Sequence, residues 1–299
     1  MARASRILVT GGNGFTGRHL CAQLRADGHD VLELTEHEPT GAAQIRAELT
    51  DAAQMRDAVA RARADRVVHL AAIAFPGHAD AGAIYRVNVI GTLNLLQALA
   101  EQGFGKGGVL LPSTATIYAG DGAAALGEES PLRPASHYAA SKLAMEHMAR
   151  LFADRLPIVT VRPFNYTGPG QREPYLVPKV VRHFRQRAPF IELGNIDSER
   201  DFLDVRAVTD AYARLLRTEE AFGQTFNLCS GVGTSVRGLI EKLEAITSHR
   251  MEVRVNPAFV RPNEPRRIVG SARRLQGIIG PLLDVPLART LEDMLADAT

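Results

Sequence analysis

The chain has 299 residues, of which 45% are hydrophobic and 23% are charged, and its formal net charge is +2 at pH 7. These values are ordinary for a globular protein and exclude a disordered chain. The 35 basic and 33 acidic residues are spread along the sequence, which excludes the concentrated basic stripe of a nucleic-acid-binding protein.

In the first half, short apolar segments alternate with longer helical patterns, as is typical of a parallel sheet covered by helices. The predicted strands are 6–10, 31–35, 66–70, 108–112 and 158–162, and the predicted helices between them are 16–27, 52–62, 83–102 and 136–155. The strands are rich in Val, Ile and Leu without strict alternation, which indicates burial on both faces. The fold class is therefore α/β with a doubly wound parallel sheet.

After residue 162 the pattern changes to segments rich in Pro, Gly and Asn, at 163–170, 194–198 and 256–265. Long connections of this kind often hold the substrate of a compact enzyme. Helices at 205–217 and 235–246 and a late strand at 225–228 are also predicted. We therefore expect a smaller C-terminal substrate-binding portion beside the sheet.

The predicted cellular location follows from three sequence features. No apolar run approaches the roughly 20 residues that span a bilayer, and the N-terminus leads into a strand without a signal peptide. Without secretion, Cys21 and Cys229 are expected to be reduced, buried thiols. We expect a cytoplasmic protein that binds neither membrane nor nucleic acid, and we predict no metal site.

The predicted helices 83–102 and 136–155 carry apolar residues at almost every angle around the axis. A helix that is apolar all round must be covered on both sides. Loops of the same chain would provide this cover, and so would a second copy of the chain in a helix-bundle homodimer. Both alternatives stay open at this point.

A glycine-rich turn follows the first strand. Gly11, Gly14 and Gly17 lie between that strand and the first helix. Glycines at this spacing permit a tight turn, a close approach of the backbone to a pyrophosphate, and packing of the helix on the strand. The N-terminus of the helix then offers free N–H groups to the phosphates. The turn predicts a Rossmann-type dinucleotide site.

The end of the second strand should indicate which dinucleotide binds. An acidic residue there would bind the adenosine ribose hydroxyls and favour NAD. Thr35 occupies this place and, being neutral, removes an obstacle to the 2′-phosphate of NADP. However, Glu36 is adjacent and no arginine lies close in sequence, so the cofactor is NADP or NAD, with NADP(H) slightly favoured.

Tyr138 and Lys142 are four residues apart near the start of a predicted helix, with Ser136 as its expected cap. This spacing places the phenol and the ammonium on one helical face. The ammonium, together with the positive ring of an oxidised nicotinamide, is expected to lower the pKa of the phenol, which could then exchange a proton with a substrate carbonyl. A third hydroxyl is expected after the fourth strand, where Ser113, Thr114 and Thr116 all qualify.

Together these residues resemble the extended short-chain dehydrogenase/reductase family, within the NAD-dependent epimerase/dehydratase superfamily, whose members modify sugar nucleotides. The matching segments are 10–17, 69–72, 88–92, 113–118, 138–142 and 162–165. The second half is most similar to the GDP-4-keto-6-deoxy-D-mannose reductases that form GDP-D-rhamnose, in segments 162–171, 200–206, 227–231 and 261–264.

The resemblance implies roles for individual residues. It implies that Thr114 is the catalytic hydroxyl beside Tyr138 and Lys142, and that Lys142 bonds the nicotinamide ribose. The implied cofactor-binding residues are Gly11, Gly14, Phe15, Thr16, Gly17, Thr35, Glu48, Leu49, Leu70, Ala71, Ala72, Tyr138, Lys142 and Pro163. The implied substrate-binding residues are Thr114, Asn165, Arg200, Arg261 and Glu264. Residues 1–163 plus about 202–232 would form the dinucleotide-binding domain, and about 164–201 plus 233–299 the sugar-nucleotide-binding domain.

The sequence departs from the family pattern at four positions. Pro112 replaces a hydroxyl residue, Ala119 a glycine, Glu48 an aspartate, and Tyr166 a histidine common in rhamnose-forming reductases. The Tyr166 replacement bears on the identity of the sugar.

The same residues suit more than one activity. Reduction of a 4-keto sugar nucleotide by NAD(P)H is the leading hypothesis, and C4 epimerisation with bound NAD is the alternative. A 4,6-dehydratase would need an acid pair directly after Thr114, where Ala115 and Thr116 stand. A non-catalytic sensor or scaffold is disfavoured by the intact pair of Tyr138 and Lys142.

Overall fold

A computed structural model describes residues 4–75, 77–105, 107–120, 122, 124–260 and 265–297. Its strands are β1 Arg6–Thr10, β2 Asp30–Thr35, β3 Gln44–Arg46, β4 Arg66–His69, β5 Val109–Pro112, β6 Ile158–Pro163, β7 Asn165–Thr167, β8 Phe190–Leu193, β9 Glu199–Asp204, β10 Thr225–Leu228, β11 Gly233–Ser235, β12 Glu252–Val255 and β13 Arg267–Ile268. Its helices are α1 Phe15–Ala26, α2 Ala52–Ala62, α3 Ala81–Tyr85, α4 Thr92–Glu101, α5 His137–Arg150, α6 Leu176–Arg185, α7 Val205–Leu215, α8 Val236–Thr247, α9 Arg273–Ile279 and α10 Leu287–Ala296.

A parallel sheet of seven strands lies at the centre, in the order β10-β6-β5-β4-β1-β2-β3. Its central strands β1, β4, β5 and β6 are largely buried on both faces, as the sequence predicts, whereas the edge strands β2 and β3 are only partly buried. In β1, Ile7 and Val9 face one apolar layer, while Leu8 faces the other. Helices α1 and α7 contribute to the first layer, and α2, α4 and α5 contribute to the second. The α/β Rossmann-type prediction is therefore confirmed.

The C-terminal half adds two small sheets. One joins β11, β9 and β13, with β7 paired to β9, and the other joins β8 and β12. Helices α6, α8 and α10 pack with these strands around a third apolar cluster. The Thr290 hydroxyl of α10 donates to buried Asp204 at 2.7 Å, which holds the last helix against β9. The division of the chain into two domains stays a prediction.

The predicted helix 83–102 is regular only at its two ends. Between α3 and α4 the backbone forms a π-helical turn over Arg86–Gly91. Such turns widen a helix locally and are frequent at functional sites. Ile90 in this turn is 45% exposed, and Leu151, just after α5, is 80% exposed. The apolar positions of the two helices are thus only partly covered within the chain.

In the part of the chain that the structure describes, no helix combines the length and apolar character required to cross a membrane.

Candidate active site

The glycine turn lies at the carboxyl end of β1, in the middle of the sheet. Gly11 has a φ of +69°, and a side-chain carbon there would lie 2.7 Å from the backbone nitrogen of Ala71. A side-chain carbon on Gly17 would overlap the carbonyl oxygen of Gly11. Both positions therefore require glycine, one for its backbone conformation and both for space.

Helix α1 begins at Phe15, directly after the turn. Its N-cap residue is Gly14, which provides no side-chain hydrogen bond to the first N–H groups, and its first turn carries no acidic residue. The helix N-terminus therefore keeps donors and a partial positive charge for an anion. These features fit the pyrophosphate of a dinucleotide, which is where the sequence places Gly14, Phe15 and Thr16.

A cation that was not predicted from the sequence, Arg46, lies beside the end of β2. Thr35 is paired in register with Arg46 on β3, because the two strands run parallel at the sheet edge. The Arg46 guanidinium forms an ion pair with Glu38, and the Thr35 hydroxyl accepts a hydrogen bond from the His37 backbone at 3.2 Å. Since β3 has only three residues, no periodic pattern revealed that Arg46 lies beside Thr35.

Five further predicted cofactor residues lie near the same end of the sheet. Leu70 and Ala71 donate backbone hydrogen bonds to Thr10, at its carbonyl (3.1 Å) and hydroxyl (3.1 Å), next to the glycine turn. Glu48 accepts a hydrogen bond from the Thr50 hydroxyl at 3.0 Å, and Leu49 is buried. Ala72, directly after Ala71, is half-buried.

Helix α5 carries Tyr138 and Lys142 on one face, as predicted. Ser136 caps the helix, since its hydroxyl accepts from the Ala139 N–H at 3.1 Å. The Lys142 ammonium is buried and donates to the Pro112 carbonyl at 2.7 Å, at the end of β5. Burial lowers the pKa of Lys142 to about 8, while the charge of Glu146 opposes this shift.

The pKa of Tyr138 differs from the prediction. Burial raises it well above its usual value, and the nearby Tyr166 and Tyr175 phenols raise it further. Its interaction with the Thr114 hydroxyl acts in the opposite direction. A lowering by Lys142 is not seen among these effects; desolvation dominates, and the side chains around Tyr138 keep the phenol protonated.

Of the three hydroxyls proposed after β5, that of Thr114 acts on Tyr138, whose pKa it lowers. The Thr114 hydroxyl also accepts from the Thr116 N–H at 3.2 Å and lies 3.0 Å from the Thr116 hydroxyl. The Ser113 hydroxyl is buried and makes no hydrogen bond within the described part of the chain. The effect on Tyr138 distinguishes Thr114 from the other two hydroxyls, and the catalytic role that the resemblance implies for it stays a prediction.

A buried ion pair between Arg162 and Glu146 lies one helical turn from Lys142. Arg162 on β6 donates to both carboxylate oxygens of Glu146, at 3.0 and 2.7 Å, and to the Tyr118 hydroxyl at 2.8 Å. The Tyr118 hydroxyl in turn donates to Asn227 at 2.7 Å. This network fixes Glu146 one turn from Lys142, where its charge opposes the effect of burial on the lysine pKa.

The predicted substrate residues lie on the strands that follow β6. Pro163 ends β6, and exposed Asn165 begins β7, where it is paired with Phe202 of β9. Arg200 lies on β9, half-buried, and donates to the Glu199 carbonyl at 2.8 Å. Arg261 and Glu264 lie outside the described residues.

The two carboxylates near Arg200 in sequence, Asp201 and Asp204, accept hydrogen bonds from other residues. Asp201 accepts hydrogen bonds from Ser230, Gly231 and Gly270, whereas Asp204 accepts from Arg206 and Thr290.

Tyr166 connects the cofactor turn with the C-terminal half, a contact that the sequence analysis missed. Its hydroxyl lies 2.8 Å from that of Thr16, and its ring stacks on Phe15 with the centroids 6.1 Å apart. Arg18 extends the same contact by donating to the Gly170 carbonyl at 2.9 Å. These residues are about 150 positions apart in sequence, so no local pattern could have joined them.

The comparisons with known proteins agree with this geometry. Residues 7–229 match the model of the NAD dependent epimerase/dehydratase family. The chain is 37% identical to GDP-6-deoxy-D-talose 4-dehydrogenase of Aggregatibacter actinomycetemcomitans, over 92% of this chain and 91% of the relative. It is 35% identical to GDP-6-deoxy-D-mannose reductase of Pseudomonas aeruginosa, over 98% and 96%.

A solved structure is also similar over its whole length. The structure of RMD from Pseudomonas aeruginosa complexed with NADPH has a TM-score of 0.84 and 33% identity, with 98% of both chains covered. The family resemblance stated from the sequence is confirmed, and the chain belongs to the NAD dependent epimerase/dehydratase family.

Proposed function

We propose that this protein is an NAD(P)H-dependent reductase of the 4-keto group of a nucleotide-activated 4-keto-6-deoxy sugar, of the GDP-4-keto-6-deoxymannose type. The observation that carries the proposal is the Tyr138 phenol, which burial keeps protonated beside Thr114 and on the same helix face as Lys142. A protonated phenol is equipped to donate a proton, which is what reduction of a carbonyl requires.

The glycine turn and the uncapped start of α1 would hold the pyrophosphate of the cofactor, with Thr35, Glu48 and Leu49 towards its adenosine end. Lys142 would bond the nicotinamide ribose. Bound NAD(P)H supplies the hydride that reduces the sugar carbonyl.

Each member of the catalytic group then has a distinct task. The Thr114 hydroxyl donates a hydrogen bond to the substrate carbonyl oxygen and orients it. The Tyr138 phenol gives its proton to the same oxygen as negative charge develops there. An alkoxide is a far stronger base than a phenolate, so this transfer is favourable even though the pKa of Tyr138 is raised. Lys142, positively charged below about pH 8, stabilises the phenolate that remains.

The substrate class rests on the relatives and on Arg200, the one basic residue of strand β9. Both relatives named above act on a GDP-linked 6-deoxy sugar by their names, and the sugars differ in configuration only at carbon 4. By resemblance, Asn165 and Arg200 would contact the pyrophosphate of the sugar nucleotide, and Arg261 and Glu264 its phosphate and ribose. An arginine fork matches phosphate oxygens, which suits Arg200 to this role.

A nucleotide-sugar C4 epimerase is the second candidate, because the family description includes epimerases and Thr114, Tyr138 and Lys142 suit both reactions. An epimerase keeps NAD bound and needs no external reductant. A dehydratase is disfavoured, because Ala115 and Thr116 follow Thr114 and supply no carboxylate for elimination of water.

Purified protein incubated with NADPH or NADH and 4-keto-6-deoxy sugar nucleotides of the GDP, dTDP, UDP and CDP series would test the proposal. We expect oxidation of the reduced cofactor with a GDP-linked substrate, and NMR of the product would assign its carbon 4 configuration. Interconversion of two 4-epimers without added NAD(P)H, and no oxidation of NAD(P)H, would establish the epimerase instead.

Two matched variants test the catalytic roles. Tyr138→Phe should abolish turnover while the cofactor dissociation constant changes by no more than about twofold, since only the proton donor is lost. Thr114→Val should lower kcat by about a hundredfold. Ser113→Ala is the control, because the Ser113 hydroxyl makes no hydrogen bond in the described part of the chain. Turnover by Tyr138→Phe at the wild-type rate would contradict its role as proton donor.

We also propose that the protein is a cytoplasmic homodimer joined through segments 83–102 and 136–155. Exposed Ile90 and Leu151 support this, since apolar side chains on paired helices gain stability when a partner covers them. Light scattering on the wild type and on Ile90→Arg would test it. We expect a dimer that the substitution dissociates, and a monomeric wild type would refute the proposal.

A further inference from the structure

The carboxyl end of β4 holds a histidine, His69, that the proposed reaction does not use. Its side chain is 2% exposed, and both ring nitrogens are engaged. Nδ1 lies 2.7 Å from the Thr10 hydroxyl, and Nε2 lies 2.9 Å from the Thr92 hydroxyl. The ring therefore joins the residue before the glycine turn to the start of α4.

The directions of these hydrogen bonds follow from their neighbours. The Thr92 hydroxyl lies 2.8 Å from the Asn88 carbonyl, which can only accept, so Thr92 donates its single hydroxyl proton to that carbonyl. It must then accept a proton from Nε2 of His69. On the other side, the Thr10 hydroxyl accepts from the Ala71 N–H at 3.1 Å and can donate to Nδ1. The ring is thus assigned as the Nε2–H tautomer.

The surroundings also keep the ring uncharged. Burial lowers the pKa of His69 to about 3, and the positive charge of Lys142 contributes to the same shift. A neutral imidazole with one donor and one acceptor matches its two partners, so no polar atom of the ring lacks a partner.

The link continues from Asn88 to the helix that carries the reactive pair. The Asn88 side-chain amide donates to the Ser141 hydroxyl at 3.0 Å, and Ser141 donates to the Tyr138 carbonyl at 2.8 Å. Asn88 and Ser141 are both buried, so water does not compete for these bonds. An unbroken hydrogen-bonded path therefore runs from Thr10 through His69 to the backbone of Tyr138.

We propose that His69 is a positioning residue whose neutral Nε2–H tautomer fixes the cofactor turn relative to the Tyr138 helix, so that both cofactor affinity and turnover depend on it. The part of this inference that concerns turnover rests on the proposed reductase activity. The parts that concern the tautomer and cofactor binding do not depend on which sugar is the substrate.

Nitrogen-15 NMR of the histidine rings tests the tautomer directly. The His69 signals are those that disappear in His69→Gln. We expect an unprotonated Nδ1 and a protonated Nε2 at neutral pH. A protonated Nδ1, whether in the other tautomer or in a charged ring, would overturn the assigned hydrogen bonds.

Binding and turnover test the positioning role. His69→Leu and Thr92→Val each remove hydrogen bonds from the path, and Thr92→Ser restores the hydroxyl. Val68→Ala, on the same strand and equally buried, loses core packing without breaking the path. The measurements are the NADPH and NADH dissociation constants by fluorescence, and kcat at saturating substrate.

We expect the first two variants to bind cofactor about tenfold more weakly and to lose between tenfold and about a hundredfold in kcat, because displacing reacting groups by a fraction of an ångström is costly. Thr92→Ser should recover most of both values, and Val68→Ala should retain them well below its melting temperature. If His69→Leu does not fold, Thr92→Val decides the question. Wild-type affinity and kcat in Thr92→Val would refute the positioning role, whereas failure of the wild type to reduce any keto sugar would refute only the proposed function.

Discussion

Lys142 makes the stability of the fold depend on pH in a way that can be calculated. Burial lowers its pKa from 10.5 to about 8. Between these values the folded protein has released a proton that the unfolded chain still binds, so the free energy of unfolding rises with pH across this window. We expect the wild type to gain about 2–3 kcal/mol relative to Lys142→Met between pH 7 and pH 10, at about 1.4 kcal/mol per pKa unit.

Urea denaturation of both proteins at several pH values would measure this difference. Other groups that titrate above pH 8 cancel in the comparison, because both proteins contain them. Lys242→Met is a control in which an exposed lysine of α8 is removed. If the difference in free energy of unfolding between the wild type and Lys142→Met stays constant or falls from pH 7 to pH 10, the fold does not lower the pKa of Lys142.

Three further predictions concern buried groups. Arg162→Met should lower the free energy of unfolding by about 3 kcal/mol or more, because it leaves Glu146 buried and unpaired. The double variant Arg162→Met with Glu146→Leu should lose less free energy of unfolding in urea denaturation. Equal losses in the two variants would contradict the pairing. Tyr166→Phe and Thr16→Val should each lower the free energy of unfolding by about 1 kcal/mol, and their effects should be non-additive in a double-mutant cycle. Full additivity would mean that the hydrogen bond between the two side chains contributes nothing to stability. Cys21, whose pKa burial raises to about 12, should react with a thiol reagent at pH 8 only on unfolding, and rapid labelling of the native protein would refute this.

Features with a local cause were predictable from the sequence. The glycine turn was recognised because its causes are local: Gly11 has a positive φ, and Gly17 must leave room for the carbonyl of Gly11. The Ser136 cap is likewise a local signal, since its hydroxyl serves an N–H three residues later. The strands of the large sheet were found, apart from β3, because burial on both faces leaves a run of apolar residues.

Other elements were missed for physical reasons. Helix α6 was not predicted because it contains Pro178, and a proline in a sequence usually indicates the end of a helix. In the structure Pro178 lies in the first turn of α6, where its missing N–H costs little. Strand β3 is too short to show a period, so Arg46 was not placed beside Thr35. The raised pKa of Tyr138 could not be predicted, because Tyr166 and Tyr175 reach it only through the tertiary fold.

The protonation states of the reactive pair bear on the direction of the reaction. At neutral pH the protein holds Tyr138 as a phenol and Lys142 as an ammonium ion, so the pair carries the proton that reduction consumes. Oxidation, which an epimerase must also perform in every cycle, would first require the buried phenol to lose that proton. Charge from bound NAD would have to offset the desolvation of Tyr138 before this could happen. The protonation states of the protein's own groups therefore support the reduction that we propose, and a preference for oxidation would have to come from the cofactor.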